Sequence, residues 1–232
     1  MTSPLPLVLL PGLHGTTELL RPLIARLSAN RQVLAIDYPS DAALDFPGYV
    51  EFVRARLPER PCAILGESFS GPIAIAIAAR VPSVAGLVLA STFARFPMPR
   101  VLAPAVVRIA RSKISPRRSA LFLAGQRATP ELIDELTRTI AALRPDLVAD
   151  RVRLALAVDV RSMLAQTEFP LLCLTGRRDR LTGRRSLSTI TAARPDAEVV
   201  HIDAGHVMLE THPDAAAEKI ARFLRRIDGD PG

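Results

Sequence analysis

Short apolar runs alternate with amphipathic stretches along much of this 232-residue chain, and this rhythm is what most constrains its fold. The apolar runs are rich in Val, Ile and Leu and almost unbroken, which is typical of parallel strands buried on both faces. They lie at Leu5–Leu10, Gln32–Tyr38, Cys62–Leu65, Gly86–Ser91, Leu171–Thr175 and Glu198–Ile202. The stretches between them predict helices at Glu18–Ser28, Pro47–Leu57, Ser70–Arg80, Gly183–Arg194 and His212–Ile227. The alternation predicts an α/β fold, with a doubly wound and mostly parallel sheet of about six strands.

One long segment interrupts this rhythm. No strand pattern occurs between Phe93 and Phe169. Helical patterns lie there instead, at Arg100–Lys113, Pro116–Ala124, Thr129–Leu143 and Pro145–Gln166. An all-helical insertion after one strand of an α/β sheet suggests a lid over a site at the sheet edge. We therefore expect a single domain over residues 1–232, with a helical cap inserted at residues 94–168.

The predicted cap is also the basic part of the chain. Between Ala94 and Arg153 there are 12 Lys/Arg and 5 Asp/Glu, which accounts for the whole net charge of +7. A basic patch attracts anionic partners, so an acidic partner at the cap is one interpretation, and a solvated Arg-rich surface is the other. With 4% aromatic residues and no recognisable motif, we expect no nucleic-acid partner.

Cysteine usage and the N-terminal region bear on the compartment. Cys62 and Cys173 both lie in apolar, strand-like runs, where we expect buried thiols and no disulfide framework. The apolar stretch Leu5–Leu10 is too short for a signal peptide or a membrane helix. We expect a cytoplasmic protein with no membrane span.

A serine lies at the junction between one predicted strand and the helix after it. Ser68 belongs to the run Gly66-Glu67-Ser68-Phe69-Ser70-Gly71, after the apolar residues Ala63–Leu65 and before a small, apolar, helix-like run. Strand, Gly-x-Ser-x-small-Gly and helix form the pattern of a nucleophile elbow, in which the serine oxygen stands exposed on a sharp turn. The small residues allow strand and helix to approach closely. Ser68 is therefore the candidate nucleophile.

A base and an acid follow downstream, each after a predicted strand. His206 comes directly after the last strand, whereas His201 lies within that strand. Asp179 follows the strand before, and Asp203 is a weaker rival for the acid. The carboxyl ends of parallel strands meet at one edge of the sheet, so we expect Ser68, Asp179 and His206 to converge there as a catalytic triad.

The loop after the first strand supplies the remaining part of such a site. It reads Leu10-Pro11-Gly12-Leu13-His14-Gly15. We predict that the backbone N–H groups of Leu13 and Phe69 form an oxyanion hole. The His14 side chain is predicted to line the mouth of the substrate-binding pocket or to hold the loop.

Taken together, these four motifs resemble the α/β-hydrolase superfamily over nearly the whole chain. They are the Leu-Pro-Gly-Leu-His-Gly loop, Gly-Glu-Ser-Phe-Ser-Gly, Gly-Arg-Arg-Asp-Arg-Leu and Asp-Ala-Gly-His. The resemblance implies a nucleophile at Ser68, an acid at Asp179, a base at His206 and a helical cap between the family's sixth and seventh strands. The chain departs from the family at Ser70, where a second glycine is usual. It also lacks the pattern of the family's first two strands.

A weaker similarity links the chain to the carboxylesterases of biotin synthesis, which act on a methyl ester of pimeloyl-acyl carrier protein. It rests on the stretches Asp159–Leu164, Phe169–Leu171 and Gly176–Leu181. The elbow and the oxyanion loop differ from those of that group. An acidic carrier protein gripped by a basic cap is nevertheless consistent with the charge distribution of this chain.

We predict a serine hydrolase that cleaves a carboxylic ester, with a small-molecule acyl ester as substrate, through an acyl-enzyme intermediate. No cofactor and no metal site is expected, since the chain has no His/Cys ligand cluster and no phosphate-binding glycine motif. One alternative keeps the triad in a thioesterase, an acyltransferase or a carbon–carbon bond hydrolase, including action on an ester bound to acyl carrier protein. Another is a non-catalytic, hydrolase-like ligand receptor.

Overall fold

The computed structural model describes residues 3–112, 115–125 and 128–229, and a six-stranded sheet forms its centre. The strands are β1 Leu7–Leu10, β2 Val33–Ala35, β3 Cys62–Glu67, β4 Val84–Ala90, β5 Leu171–Gly176 and β6 Glu198–Ile202. Their order is β2-β1-β3-β4-β5-β6, and every neighbouring pair is parallel. The predicted fold class is confirmed. Strand β2 is shorter than expected, because only three residues of its apolar run pair with β1.

Helices cover both faces of the sheet. One face carries α1 (Arg21–Ser28) and α11 (Pro213–Ile227), and the other carries α2 (Phe46–Arg54), α3 (Gly71–Ala78) and α9 (Gly183–Ala193). Alternate residues of each strand face opposite helix layers, so that Leu7 and Leu9 join one core and Val8 and Leu10 the other. This double burial explains why the strands are continuous apolar runs.

Between β4 and β5 the described residues form helices and their connecting loops, with one isolated bridge and no strand. The helices are α4 Ala103–Arg111, α5 Pro116–Ala124, α6 Pro130–Ala142, α7 Pro145–Ala157 and α8 Arg161–Ala165. A small apolar cluster that includes Ile133, Leu136 and Val207 joins α5 and α6 to the body of the protein. Lys113, at the end of one predicted helix, lies outside the described residues, and α4 begins only after a 3-10 turn at Arg100–Leu102.

The single helix predicted at Pro145–Gln166 is wrong, since α7 ends at Ala157 and α8 begins at Arg161. Between them Asp159 forms an antiparallel bridge with Arg95, and the Val160 amide donates to the Ala94 carbonyl at 3.0 Å. These pairings with the segment after β4 replace the helical hydrogen bonds at that point.

Both cysteines are buried in strands and unbonded to each other, as expected. Among the described residues, no helix is long and apolar enough to cross a membrane.

Candidate active site

Ser68 stands on a sharp turn where β3 ends and α3 begins. Its φ is +47°, a left-handed conformation that is costly for a residue with a side chain. The turn requires glycine on both sides: a Cβ on Gly66 would lie 2.8 Å from the Ala74 Cβ, and one on Gly71 would lie 2.0 Å from the Thr92 Oγ1. The Thr92 hydroxyl also donates a hydrogen bond to the Ser68 carbonyl, and this bond helps to hold the strained residue in place.

The three predicted triad residues come together at the carboxyl edge of the sheet. The Oγ atom of Ser68 lies 2.9 Å from the Nε2 atom of His206, and the Nδ1 atom of His206 lies 2.9 Å from the Oδ2 atom of Asp179. Ser68 remains half-exposed, whereas His206 and Asp179 are buried. A hydroxyl, an imidazole and a carboxylate are thus joined by two consecutive hydrogen bonds.

The Asp179 carboxylate is held by more than the histidine. Its Oδ1 accepts from the backbone N–H of Leu181 at 2.8 Å and of Thr182 at 3.0 Å, and its Oδ2 accepts from the Thr182 hydroxyl. Burial by itself raises the pKa of this group, but the hydrogen bonds and charge of His206 and the bonds from Thr182 outweigh it and lower the pKa to about 2. Asp179 is therefore an anion throughout the neutral pH range.

The rival candidates lie elsewhere. Asp203 forms an exposed ion pair with Arg178 at 2.9 Å, and it is Asp179 whose carboxylate reaches His206. His201 lies exposed on β6, and His212 comes directly before α11 with its Nδ1 atom 2.9 Å from the Thr211 hydroxyl.

The loop that carries His206 is fixed by backbone contacts. The backbone N–H of His206 donates to the Leu123 carbonyl at the end of α5, at 2.8 Å. The preceding Gly205 passes so close to this helix that a Cβ would lie 2.7 Å from the same carbonyl, and a Cβ on Gly176 would lie 2.2 Å from the Gly205 carbonyl. The carboxyl end of β5 and the helix α5 therefore hold the histidine loop between them.

The Leu10–Gly15 loop lies beside the elbow, because β1 and β3 are neighbours in the sheet. The N–H of Gly12 donates to the Oε2 atom of Glu67 at 3.1 Å, and Ser70 donates its hydroxyl to the Pro11 carbonyl. The Leu13 amide has no acceptor among the described residues. The Leu13 amide is therefore free to bind a ligand, and its loop follows the strand beside the one that ends just before Ser68 and Phe69.

Beneath this loop lie two buried carboxyl groups that sequence reasoning missed. Glu67 precedes Ser68, and Glu210 comes from the short helix α10, Met208–Thr211. Within the described chain neither oxygen of Glu210 has a hydrogen-bond donor as partner. Burial raises the pKa of Glu210 well above its usual value, and the charge of Glu67 raises it further. Both effects favour the protonated, neutral form of Glu210.

His14 completes this cluster. It is half-buried, and its Nδ1 atom accepts from the Thr16 N–H at 3.4 Å, which leaves the proton on Nε2. One donor atom from each of His14, Glu67 and Glu210 lies within 4.8 Å of the others, a spacing that could hold a cation. However, Glu67 already accepts from the Gly12 amide, and the raised pKa of Glu210 favours its neutral form, so the cluster offers little negative charge to a cation.

An apolar groove of about 780 Å³ opens among the helices between β4 and β5, and Leu181, two residues after Asp179, also lines it. Its lining includes Phe122, Leu123, Ile140, Val148, Val152 and Leu181. Two of these residues connect it to the triad, because the Leu123 carbonyl binds the His206 amide and Leu181 donates its amide to Asp179. Phe122 and Leu181 stay 50% and 39% exposed, so the groove presents apolar surface to the solvent.

Comparisons with known proteins agree with this architecture. A family model for the alpha/beta hydrolase family matches residues 7–219. A pimeloyl-[acyl-carrier protein] methyl ester esterase from Xanthomonas oryzae pv. oryzae is 28% identical in an alignment of 245 positions that covers 95% of each chain. A poly(3-hydroxyalkanoate) depolymerase from Ectopseudomonas oleovorans is 25% identical and aligns with 95% of this chain and 84% of its own.

Among solved structures, the enol-lactonase from Burkholderia xenovorans LB400 superimposes with a TM-score of 0.83 at 20% identity, over 96% of this chain and 92% of the lactonase. At that identity the likeness shows the fold. The family match spans the sheet, the elbow, the Asp179 turn and the histidine loop, and on this ground the chain belongs to the alpha/beta hydrolase family.

Proposed function

We propose that this protein is a serine hydrolase that cleaves carboxylic esters through an acyl-enzyme. The observation that carries the proposal is the pair of 2.9 Å hydrogen bonds that joins Ser68 to His206 and His206 to Asp179. This arrangement activates a hydroxyl that would otherwise be a weak nucleophile. The relatives named as esterases support the choice of an ester as substrate.

In the first half-reaction, the Ser68 Oγ attacks the ester carbonyl carbon while the His206 Nε2 takes the hydroxyl proton. Asp179 holds the imidazole with its Nδ1 proton inward and stabilises the imidazolium. The Leu13 and Phe69 amides stabilise the negative oxygen of the tetrahedral intermediate. His206 then gives its proton to the leaving alkoxide, which departs as the alcohol, and Ser68 keeps the acyl group.

In the second half-reaction, water attacks the acyl-enzyme. His206 takes a proton from the water and returns one to the Ser68 oxygen as the carboxylic acid leaves. The two half-reactions together consume only the ester and one water molecule.

The apolar groove in the cap indicates which part of the substrate the protein holds. Most of its lining is aliphatic or aromatic, and two lining residues, Leu123 and Leu181, form backbone hydrogen bonds with His206 and Asp179. We propose that it takes an apolar acyl or alcohol group, whose transfer from water favours binding by about 0.8 kcal/mol for each buried methylene.

A substitution of the nucleophile tests the proposal. Ser68→Ala should lower kcat/KM for p-nitrophenyl esters by about 10⁶-fold and abolish labelling by a fluorophosphonate. The matched control is Ser188→Ala, which removes an exposed serine of α9 whose hydroxyl binds only the Arg185 carbonyl. Full activity in Ser68→Ala, or a folded wild-type protein that neither labels nor hydrolyses any ester of a graded chain-length series, would contradict the proposal.

A second candidate is an ester carried on an acidic carrier protein. The cap surface favours it, since Arg100, Arg108, Arg111, Arg118 and Arg138 are all exposed there, and Arg118 also lines the apolar groove. A relative named as an esterase of a carrier-bound ester supports the same interpretation. Surface charges of this kind mainly accelerate encounter with a partner of opposite charge.

The two candidates differ in their response to charge reversal. With a carrier-bound methyl ester, Arg108→Glu combined with Arg111→Glu should lower kcat/KM about tenfold or more, and added salt should lower the wild-type value. With a p-nitrophenyl ester the same variant should match the wild type. Equal losses on both substrates would instead indicate damage to the cap, and no loss on either would leave the small-molecule ester as the substrate.

A further inference from the structure

Arg151 is a cation hidden beneath the cap. It lies on α7 and is 1% exposed, although the surrounding segment is a basic, largely solvated surface. Its guanidinium donates to three neutral acceptors: the Tyr49 hydroxyl at 2.9 Å, the Leu13 carbonyl at 2.8 Å and the Pro39 carbonyl at 2.9 Å. In the described part of the chain no carboxylate pairs with it. A buried charge without a counter-ion is expensive, so such a residue calls for a specific reason.

The chain makes room for this side chain in the Leu10–Gly15 loop. A Cβ on Gly15 would lie 2.4 Å from the Nη1 atom of Arg151, and Gly15 has a φ of +79°, which glycine adopts without strain. The Gly15 carbonyl in turn accepts from the Tyr38 amide at 2.8 Å. Loop and arginine are therefore fitted to each other, although 136 positions separate Gly15 from Arg151 in sequence.

The contact lies next to the amide that we propose for oxyanion binding. The Gly15 N–H donates to the Gly12 carbonyl at 3.0 Å and closes a tight turn. That carbonyl and the Leu13 N–H belong to one trans peptide unit and point in opposite directions, so the turn directs the N–H outward. Arg151 holds the next peptide unit of the turn by its carbonyl. With both units fixed, the direction of the Leu13 N–H is fixed as well.

We propose that Arg151 is a positioning residue. Its hydrogen bond to the Leu13 carbonyl, here called the Arg151 clamp, ties helix α7 to the Leu10–Gly15 loop and fixes the conformation of that loop. The inference rests on the proposed function, because it assigns Leu13 to an oxyanion hole. It makes catalysis depend on the docking of α7 onto the sheet. A second contact of this kind is the hydrogen bond from the His206 amide to the Leu123 carbonyl of α5. The helices between β4 and β5 therefore contact both the Leu10–Gly15 loop and the histidine loop.

Three variants test the clamp. Arg151→Met keeps the apolar stem and removes the donors, Arg151→Lys keeps a charge and some donors, and Arg153→Met is the matched control. Arg153 lies on the same helix, is 55% exposed at its side chain and pairs with Asp150. For each variant we would measure kcat and KM on p-nitrophenyl butyrate, affinity for an alkyl boronic acid, thermal unfolding and amide hydrogen exchange over residues 8–18.

If the clamp operates, Arg151→Met lowers kcat by about 10- to 100-fold with KM changed less than about threefold, since an oxyanion donor contributes mainly in the transition state. Boronic acid affinity falls by a similar factor, because the boronate adduct is a tetrahedral anion. Exchange over residues 8–18 accelerates in the folded protein, Arg151→Lys recovers part of the loss, and Arg153→Met resembles the wild type.

The clamp is overturned if folded Arg151→Met keeps kcat and boronate affinity within about twofold of Arg153→Met. It is also overturned if the loss matches the unfolded fraction alone, which is the result of a merely structural role. A wild-type protein that hydrolyses no ester would overturn the proposed function separately. Hydrogen exchange alone would then decide whether Arg151 holds the loop.

Discussion

The two sides of Ser68 are built in different ways. On one side, His206 and Asp179 form a chain of side-chain hydrogen bonds to Ser68, and a carboxylate with a lowered pKa meets four donors, from His206, Leu181 and Thr182. On the other side, the Leu10–Gly15 loop offers only backbone groups. The side chains that hold it come from distant segments and remain buried, among them Glu67, Ser70 and Arg151.

The difference shows what each kind of site requires. A side-chain triad needs its residues at fixed distances, and strand ends at one sheet edge provide this directly. The oxyanion donor that we propose in the loop is the Leu13 N–H, which must point in a fixed direction. The backbone of the loop alone cannot ensure this. Buried polar contacts supply the rigidity, at the cost of removing charged groups from water.

The largest effect is expected on the triad side. Asp179→Asn should lower kcat/KM by about 10⁴-fold, because an amide cannot hold the imidazole in the same tautomer or balance its positive charge. Asp203→Asn is the matched control, since that residue lies in an exposed ion pair with Arg178 and should change activity less than about twofold. Similar rates for the two variants, measured with a p-nitrophenyl ester, would remove Asp179 from the mechanism.

A smaller effect is expected on the loop side at Ser70. Its hydroxyl accepts from Tyr38 at 2.6 Å and donates to the Pro11 carbonyl, and it is fully buried. Ser70→Ala should lower kcat about three- to tenfold and destabilise the fold by about 1–3 kcal/mol, since two buried polar groups lose their partner. Denaturant unfolding and steady-state kinetics would measure both quantities.

Ser70→Gly provides the comparison, because glycine is the residue expected at this position of the elbow. It should behave like Ser70→Ala if the hydroxyl is what matters. Should the glycine variant equal the wild type in kcat while the alanine variant is slow, crowding rather than hydrogen bonding governs the position.

The smallest effect on activity is expected at Glu210. Glu210→Gln should leave kcat within about threefold, because an amide can donate to Glu67 as the neutral acid does.

The effect of Glu210→Gln on the free energy of unfolding depends on pH. Above the usual glutamate pKa of 4.5, the unfolded chain releases this proton while the folded protein, with its raised pKa, keeps it. Wild-type stability therefore falls with rising pH, by at most about 1.4 kcal/mol per pH unit.

The glutamine variant lacks this penalty, so its advantage over the wild type should grow between pH 5 and the raised pKa of Glu210. Denaturant titrations at pH 5, 6, 7 and 8 would follow it. Glu218→Gln, an exposed residue beside Lys219, should show no such growth. A constant difference between Glu210→Gln and the wild type across this range would mean that Glu210 is ionised in the folded protein.

The sequence was more informative about one side of the site than about the other. Apolar runs, the Gly-x-Ser turn and the position of Asp179 and His206 after strands predicted the sheet and the meeting of Ser68, Asp179 and His206 at its edge, because local patterns determine where a strand ends. Arg151 gave no such signal. In sequence it is one basic residue of an amphipathic helix, and only the packing of α7 over the sheet removes it from water.

Glu210 was missed for a similar reason. It lies four residues after His206 in a segment that reads as the approach to a helix, and its burial depends on the packing of α10 against α1 and α11. The break between α7 and α8 also depends on a contact with the distant residue Arg95, which helical periodicity cannot reveal.

The cap also has a consequence for how the molecule folds. Residues 91–170 separate β4 from β5, yet these strands are neighbours at the centre of the sheet. Their pairing must close a loop of that length, which slows the search for the native topology. Ser68 and Leu13 belong to segments before this junction, and Asp179 and His206 to segments after it. Enzymatic activity should therefore return only with the final pairing of the two halves, which would make it a direct kinetic probe of complete folding.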